Sequence, residues 1–526
     1  MLFLINCTSP LSELNYLILT TWETMRAPLV LILSCWLLVG FLVARTRANQ
    51  DCCDALSKQL PDGQVYGPQS ISYVDRIKSY FSISAALEPW CIVLPSTTQE
   101  VSAVIQTLTA HQCPFGIQSG GHGVFPGANS VQNGVTVDLG NMNTTTYNAE
   151  SKTASIQPGC RWKPVYETLA EYGVAVPGGR DSDVGVGGFI LGGGNSFWSA
   201  SHGWACDNVV NFEVVLADDC IINANAEDHA DLWAALKGGS GNFGIVTRFD
   251  MKTIEYANPQ NYIYGGSLTY SPDSTKEAIA AFVDFANNQS KDLASHAYTV
   301  WAYIPSIGTI IMSFVANVLN DDSTSAFDGI MGVPGMTSSS ARSATIGNFT
   351  DEILSPKGYR NIWKTSAYKN DARVIQYAVD KFNDIAPRIE AAVSSEKLLI
   401  VVGSFQPLTQ PMISQAAANG GNMLGLEERA ESGNGVLLNA AVSLLGAESE
   451  QAALPLMREW LDSVDEFARG EDLSWDWRYL NYAYGDQDPI ASYGQASVEK
   501  IKAAAAKYDP QGVFQKLRMS GFKIPT

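Results

Sequence analysis

The chain has 526 residues, 46% of them hydrophobic and 17% charged, with a formal net charge of −19. That length exceeds what one hydrophobic core supports, so two or three folded units are expected. The acidic balance repels polyanions and leaves no basic footprint, which excludes nucleic acid as a partner.

Residues 1–48 read as a leader. Met25-Arg26 precedes an uninterrupted apolar run over residues 27–44, and Arg45, Arg47 and the small Ala48 follow. A positive flank, an apolar core and a small residue at a polar boundary form a secretory signal, so cleavage near Ala48 and export are expected, with Met25 the better start. Retained instead, residues 27–44 would just reach the length of a membrane anchor. Beyond the leader stand Cys52, Cys53, Cys91, Cys113, Cys160, Cys206 and Cys220, with no Cys-x-x-Cys pair. An oxidising compartment lets some of them bridge, and Cys52 or Cys53 with Cys91, and Cys206 with Cys220, are the expected pairs. Asn143, Asn288 and Asn348 open glycosylation triplets.

After a polar lead-in over residues 49–84, Pro89–Pro95 reads as a short buried strand. Ser96-Thr97-Thr98-Gln99-Glu100 then offers a Ser/Thr cap, with an acid shortly after, to a helix with the apolar spacing Val101, Val104, Ile105 and Leu108. Phe115–Gln118 is the next strand, and it breaks into Ser119-Gly120-Gly121-His122. Glycines there permit left-handed dihedrals, which let successive backbone N–H groups converge on a phosphate, with His122 at the rim. Val135–Leu139 alternates as a strand, and Trp162–Tyr172 is a helix closed by Gly173.

Residues 184–194 hold the richest glycine cluster. Such density predicts neither helix nor strand but a backbone that approaches something flat or charged closely. A third cluster, Gly238–Gly244, contains Gly-x-Gly-x-x-Gly, yet it follows the helical stretch Ala230–Leu236 and precedes the strand Ile245–Met251. A Rossmann dinucleotide site needs the opposite order, so NAD on that fold is excluded. Farther on, residues 262–270, 297–303, 309–315, 397–403 and 435–442 read as strands, and 275–287 and 373–394 as helices. The five histidines, His111, His122, His202, His229 and His296, show no paired ligand spacing, so no metal is expected. No Gly-x-Ser-x-Gly elbow occurs either.

Taken together, residues 85–255 resemble the FAD-binding domain of the vanillyl-alcohol oxidase or p-cresol methylhydroxylase (PCMH-type) superfamily, and within it the berberine-bridge-enzyme-like oxidoreductases of fungi. The matching residues are Pro95 with Thr98 and Glu100, Ser119–His122, Gly134–Asp138, Val184–Gly188, Gly192–Gly194, Asp207–Val209, Glu213–Ala217 and Gly238–Val246. Tyr479–Gly485, Gln487–Pro489, Ser492–Gly494 and Lys507–Phe514 are similar to the family's C-terminal segment. The resemblance implies an α+β protein: a FAD-binding domain of two α/β subdomains (85–256), a substrate-binding domain with an antiparallel sheet flanked by helices (257–475), and a segment that returns to the flavin (476–526).

The same resemblance implies that the cofactor is FAD, held by Gln118, Ser119, Gly120, Gly121, Val184, Gly185, Gly187, Gly188, Gly192, Gly193, Gly194, Asp207, Gly239, Gly244, Ile245, Val246 and Asn481. His122 is its expected covalent tether. Relatives with a second, cysteine link carry it where Asp181 stands, so a single bond is expected, and Gln118 replaces the group's usual arginine. Tyr482 and Tyr484 are the candidate bases, with Tyr479 behind them, and Tyr298, Trp301 and Tyr303 are candidates for lining the substrate pocket. The implied activity is an exported FAD-linked oxidase that takes a hydride from a small alcohol, phenol or other secondary metabolite and passes it to O2. An oligosaccharide oxidase, a dehydrogenase with another acceptor, and a flavin scaffold that guides a cyclisation without net redox turnover are the alternatives.

Overall fold

The computed structural model describes residues 51–393 and 398–526; the leader, with its apolar run, lies outside them. No helix among the described residues is long and apolar enough to cross a membrane.

The first sheet is built around parallel strands. β1 (Val65–Tyr66), β2 (Cys91–Val93), β3 (Phe115–Gln118) and β4 (Val135–Asp138) lie in the order β1-β2-β4-β3, with β2 and β3 both parallel to β4. The crossover from β2 to β3 is helix Thr98–Ala110. Its capping box is complete, because Thr97 accepts from the Glu100 N–H and the Glu100 carboxylate accepts from the Thr97 N–H. Its apolar stripe, Val101, Val104, Ile105 and Leu108, is buried against the sheet.

A second, antiparallel sheet follows. β5 (Thr145–Asn148), β6 (Thr153–Ile156), β8 (Val209–Val215), β9 (Ile221–Asn225) and β10 (Ile245–Lys252) run in the order β5-β6-β10-β8-β9, while β7 (Val174–Ala175) pairs with β11 (Ile254–Glu255). One expectation fails in this region: Val186–Leu191 is a short helix. Burial of Val186 and Ile190, four residues apart on one face, offsets the entropy that its glycines lose.

The third sheet has nine strands, all antiparallel: β12 (Tyr262–Tyr270), β13 (Ser295–Ile304), β14 (Gly308–Asn317), β15 (Met336–Ser339), β16 (Arg342–Thr345), β17 (Arg360–Lys369), β18 (Leu399–Leu408), β19 (Gly435–Leu444) and β20 (Ser474–Trp477). Alternate residues serve its two faces. Trp301, Phe405, Leu438 and Val442 pack with helices Thr275–Asn288, Ala372–Ala392 and Ala447–Gly470. Tyr298, Val300 and Ala302 point the other way. Of the three proposed pocket aromatics, only Tyr298 is therefore on the pocket side. Trp301 donates to Thr275 Oγ1 and Tyr303 bonds Glu390, both on the helix side.

The last residues return to the first sheet. The Phe115 N–H donates to the Leu517 carbonyl at 2.9 Å, the Met519 N–H to the Phe115 carbonyl, and the Ile117 N–H to Ser520 Oγ.

The disulfides are Cys53–Cys91 and Cys52–Cys113, closing loops of 38 and 61 residues. Cys206 and Cys220 are not bridged: Cys206 is buried beside Asp207 while Cys220 is exposed after the β8 turn, and with Cys160 they are the free thiols among the described residues. Asn143 and Asn348 are exposed and Asn288 is half-buried. Unfolding a chain that starts at residue 49 without reductant should expose three titratable thiols, whereas the same chain in its native state should label only at Cys220. One thiol after unfolding would restore the Cys206–Cys220 pair.

Candidate active site

β3 delivers the chain to Ser119, and from there the backbone runs against the second glycine cluster. A Cβ on Gly120 would lie 2.4 Å from Gly185 Cα, so neither position tolerates a side chain. The approach is clamped on both sides. Ser119 Oγ bonds the Pro158 carbonyl and accepts from the Gly187 N–H at 3.2 Å, while Arg161 Nη2 donates to the Gly120 carbonyl at 2.9 Å. Gly121 takes the left-handed conformation, φ +66°, which turns the chain toward His122.

These turns line a cavity of about 480 Å3 between the glycine clusters and the pocket face of the nine-stranded sheet. His122 is one wall. Its ring stacks on Phe81 at 3.9 Å and 10° and stands 6.3 Å from Trp363. Burial holds the imidazole far below its ordinary range, at about 3; Asp183 pulls upward, and Arg161 and Lys357 push down. The ring is thus neutral at working pH, and its buried Nε2 has no hydrogen-bond partner among the described residues.

At the Tyr482 end a polar network gathers. Arg180 reaches His296 Nε2 (3.0 Å), Gln406 Oε1 (2.7 Å) and the Tyr482 hydroxyl (3.1 Å), and its guanidinium lies 5.0 Å from the Tyr298 ring centre. Gln406 Nε2 donates to the same Tyr482 oxygen at 3.2 Å. Burial, with the Arg180 charge second, depresses the His296 imidazole, so it meets Arg180 as a neutral acceptor. Tyr479 is buried behind them, its oxygen accepting from the Gly194 and Asn195 N–H groups and from Asn481.

Of the residues proposed from the sequence, Ser119, Gly120, Gly121, His122, Val184, Gly185, Gly187, Gly188, Gly244, Ile245, Val246, Tyr298, Tyr479, Asn481 and Tyr482 line this cavity. The others lie behind its wall. Gln118 turns toward Ser79, Gly192–Gly194 pack beneath Asn481, Leu424 and Ala205, and Gly239 sits against Phe243. The Asp207 carboxylate accepts from the Trp204 N–H and Asn422, with its proton affinity raised by burial to about 6. Tyr484 is packed against Phe125 beside Glu450. Phe81, Arg180, Gln406 and Trp363 were not anticipated. Only Arg180 left a trace in the sequence, a cation directly after Gly178-Gly179 and before the glycine cluster.

An FAD binding domain family matches residues 89–225. An FAD-dependent monooxygenase of Aspergillus calidoustus is 37% identical over 91% of each chain, and one of Emericella nidulans 38% identical over 90% of this chain and 98% of its own. The chain belongs to the PCMH-type, berberine-bridge-enzyme-like family of FAD-linked oxidoreductases. The fold agrees with solved structures of 6-hydroxy-D-nicotine oxidase from Arthrobacter nicotinovorans (TM-score 0.72, 20% identity, 89% of this chain and 98% of that one) and a xylooligosaccharide oxidase from Myceliophthora thermophila C1 (TM-score 0.72, 18% identity, 90% and 100%).

The residues of this FAD-linked oxidoreductase suit its cofactor: a turn without side chains, an unpartnered neutral ring nitrogen and a cavity between them. The depressed imidazole also makes a prediction. Its proton affinity is ordinary in the unfolded chain and low in the folded one, so acid favours unfolding as pH falls from about 6.5 toward 3. In flavin-free protein, His122→Ala should flatten the fall in unfolding free energy between about pH 7 and about pH 4 by up to ~1.4 kcal/mol per pH unit, followed by urea unfolding.

Proposed function

We propose that residues 85–256, with the C-terminal segment 476–526, hold FAD, and that residues 257–475 cover its substrate side. Ser119–Gly121 receive the pyrophosphate, and His122 bonds the flavin once. The unpartnered Nε2 of a neutral, buried imidazole is the observation that supports this most directly. A single link is supported by Asp181, which lines the cavity where a second tether would need cysteine; among the described residues no cysteine lines it. When bound, the flavin supplies a two-electron acceptor for a hydride.

Tyr482 is the residue proposed to take the substrate's proton. It lines the cavity, and Arg180 and Gln406 both donate to its oxygen, the partners an anionic oxygen needs. Tyr484 is less suited, since burial and then the Glu450 carboxylate raise its proton affinity and it does not reach the cavity. Phe81, Phe125, Phe189, Trp363 and Tyr298 favour a small, largely apolar metabolite over a sugar chain as substrate. We assign O2 as the acceptor, reduced to H2O2, and export as the destination; two disulfides support the latter.

Acid-precipitated protein should stay yellow and yield a flavin peptide containing His122, while His122→Ala should release its flavin. Screening small alcohols and phenols under labelled O2 should give one H2O2 per O2 consumed. Label in the product would mark a monooxygenase instead, the activity named for the fungal relatives. Tyr482→Phe should slow anaerobic flavin reduction by about 100-fold or more, while Tyr484→Phe stays within a few-fold.

A further inference from the structure

Arg180 is 8% exposed, lines the cavity and makes no ion pair among the described residues. An arginine keeps its charge in a protein interior, and a buried ion without a counter-charge is costly. Its partners among the described residues, His296, Gln406, Tyr482 and the Tyr298 ring, include no carboxylate. The adjacent carboxylate does not serve it: Asp181 accepts from the N–H groups of Asp183 and Ser355, each at 2.9 Å. The hydrogen bonds use three of the five guanidinium N–H donors; none is made by Nε.

We propose that Arg180 is the recognition group for a negatively charged substrate, an organic acid or ionised phenol whose oxygen pairs with its remaining donors beside Tyr482. The assignment rests on the reading of this cavity as the substrate site. Arg518 is the other arginine in the lining, but it belongs to a different end, where it donates to Asn242 Oδ1 and the Phe522 carbonyl. Arg180 and Arg518 outnumber the one lining carboxylate, Asp181, in a chain of net charge −19, so the cavity departs locally from the protein's overall field in the sense that favours anions.

Benzoate and its neutral isostere benzamide are suitable probes, titrated into flavin-loaded protein and followed by the flavin absorbance. Benzoate should bind at least about tenfold tighter than benzamide, and Arg180→Met should abolish that preference. Arg180→Lys should retain part of it, and this variant together with the wild-type comparison decides the matter should the methionine variant fail to fold. Equal affinities in the wild type, no benzoate binding, or a preference that survives Arg180→Met would overturn the assignment. So would an unchanged preference accompanied by a lower flavin potential in Arg180→Met, because the guanidinium would then face the reduced ring. Protein without flavin would refute the functional reading itself; flavin-loaded protein indifferent to benzoate refutes only the role of Arg180.

Discussion

The contact on which the site depends is the approach of two backbone segments at Gly120 and Gly185. Nothing larger than hydrogen fits at either Cα, because a Cβ on one meets the other's backbone at about 2.4 Å. The first sheet and the second unit therefore share a wall, and His122, two residues beyond, is placed by that wall. Arg161 bridges it, donating to the Gly120 carbonyl and pairing with the Asp183 side chain at 3.0 Å. The entropy lost by so many glycines is offset outside the contact, by Ser119 joining Gly187 and Pro158 and by burial of Val186 and Ile190.

The rest of the site comes from distant parts of the chain. Phe81, from the lead-in, stacks on His122, and the lead-in is itself held by the Arg76–Asp138 ion pair and by the Ile83 N–H on the Tyr359 carbonyl. The last ten residues brace β3 from its free edge, and Asn242 ties them to the third glycine cluster through Arg518. Tyr482 arrives from the C-terminal segment, where Tyr479 is fixed by three donors. Each of these segments adds a constraint on the glycine turn and on His122.

Where local pattern and tertiary demand agreed, the sequence was readable. Tyr262–Tyr270 was legible to the residue and Phe115–Gln118 likewise, because alternation or a closed apolar run coincides with the pleat. β17, which brings Trp363 to His122, was not. Its buried positions include Asn361, Lys364, Thr365 and Ser366, each satisfied from far along the chain: Asn361 by Ser443, Lys364 by Asp486, Thr365 by Gln487 and Leu438, and Ser366 by Asp465. No periodicity of hydrophobicity records such partners. Helix Ala447–Gly470 was hidden by Pro455 in its interior. Among the site residues, the glycines and His122 were visible through their motif, whereas Gln406 and Phe81 have no local signature.

The neutrality of His122 is also a product of its surroundings rather than of burial alone. Asp183 is the nearby anion that would recharge the ring, since it acts to raise the imidazole's proton affinity. That carboxylate is already shared between Arg161 at 3.0 Å and Lys357 at 2.6 Å, and both cations act on the ring in the opposite sense. Desolvation sets the direction, and the two cations keep Asp183 from reversing it. Because Arg161 also holds the Gly120 carbonyl, the residue that fixes the backbone turn is one of those that keep the imidazole uncharged, so the geometry and the chemistry at position 122 depend on the same side chain.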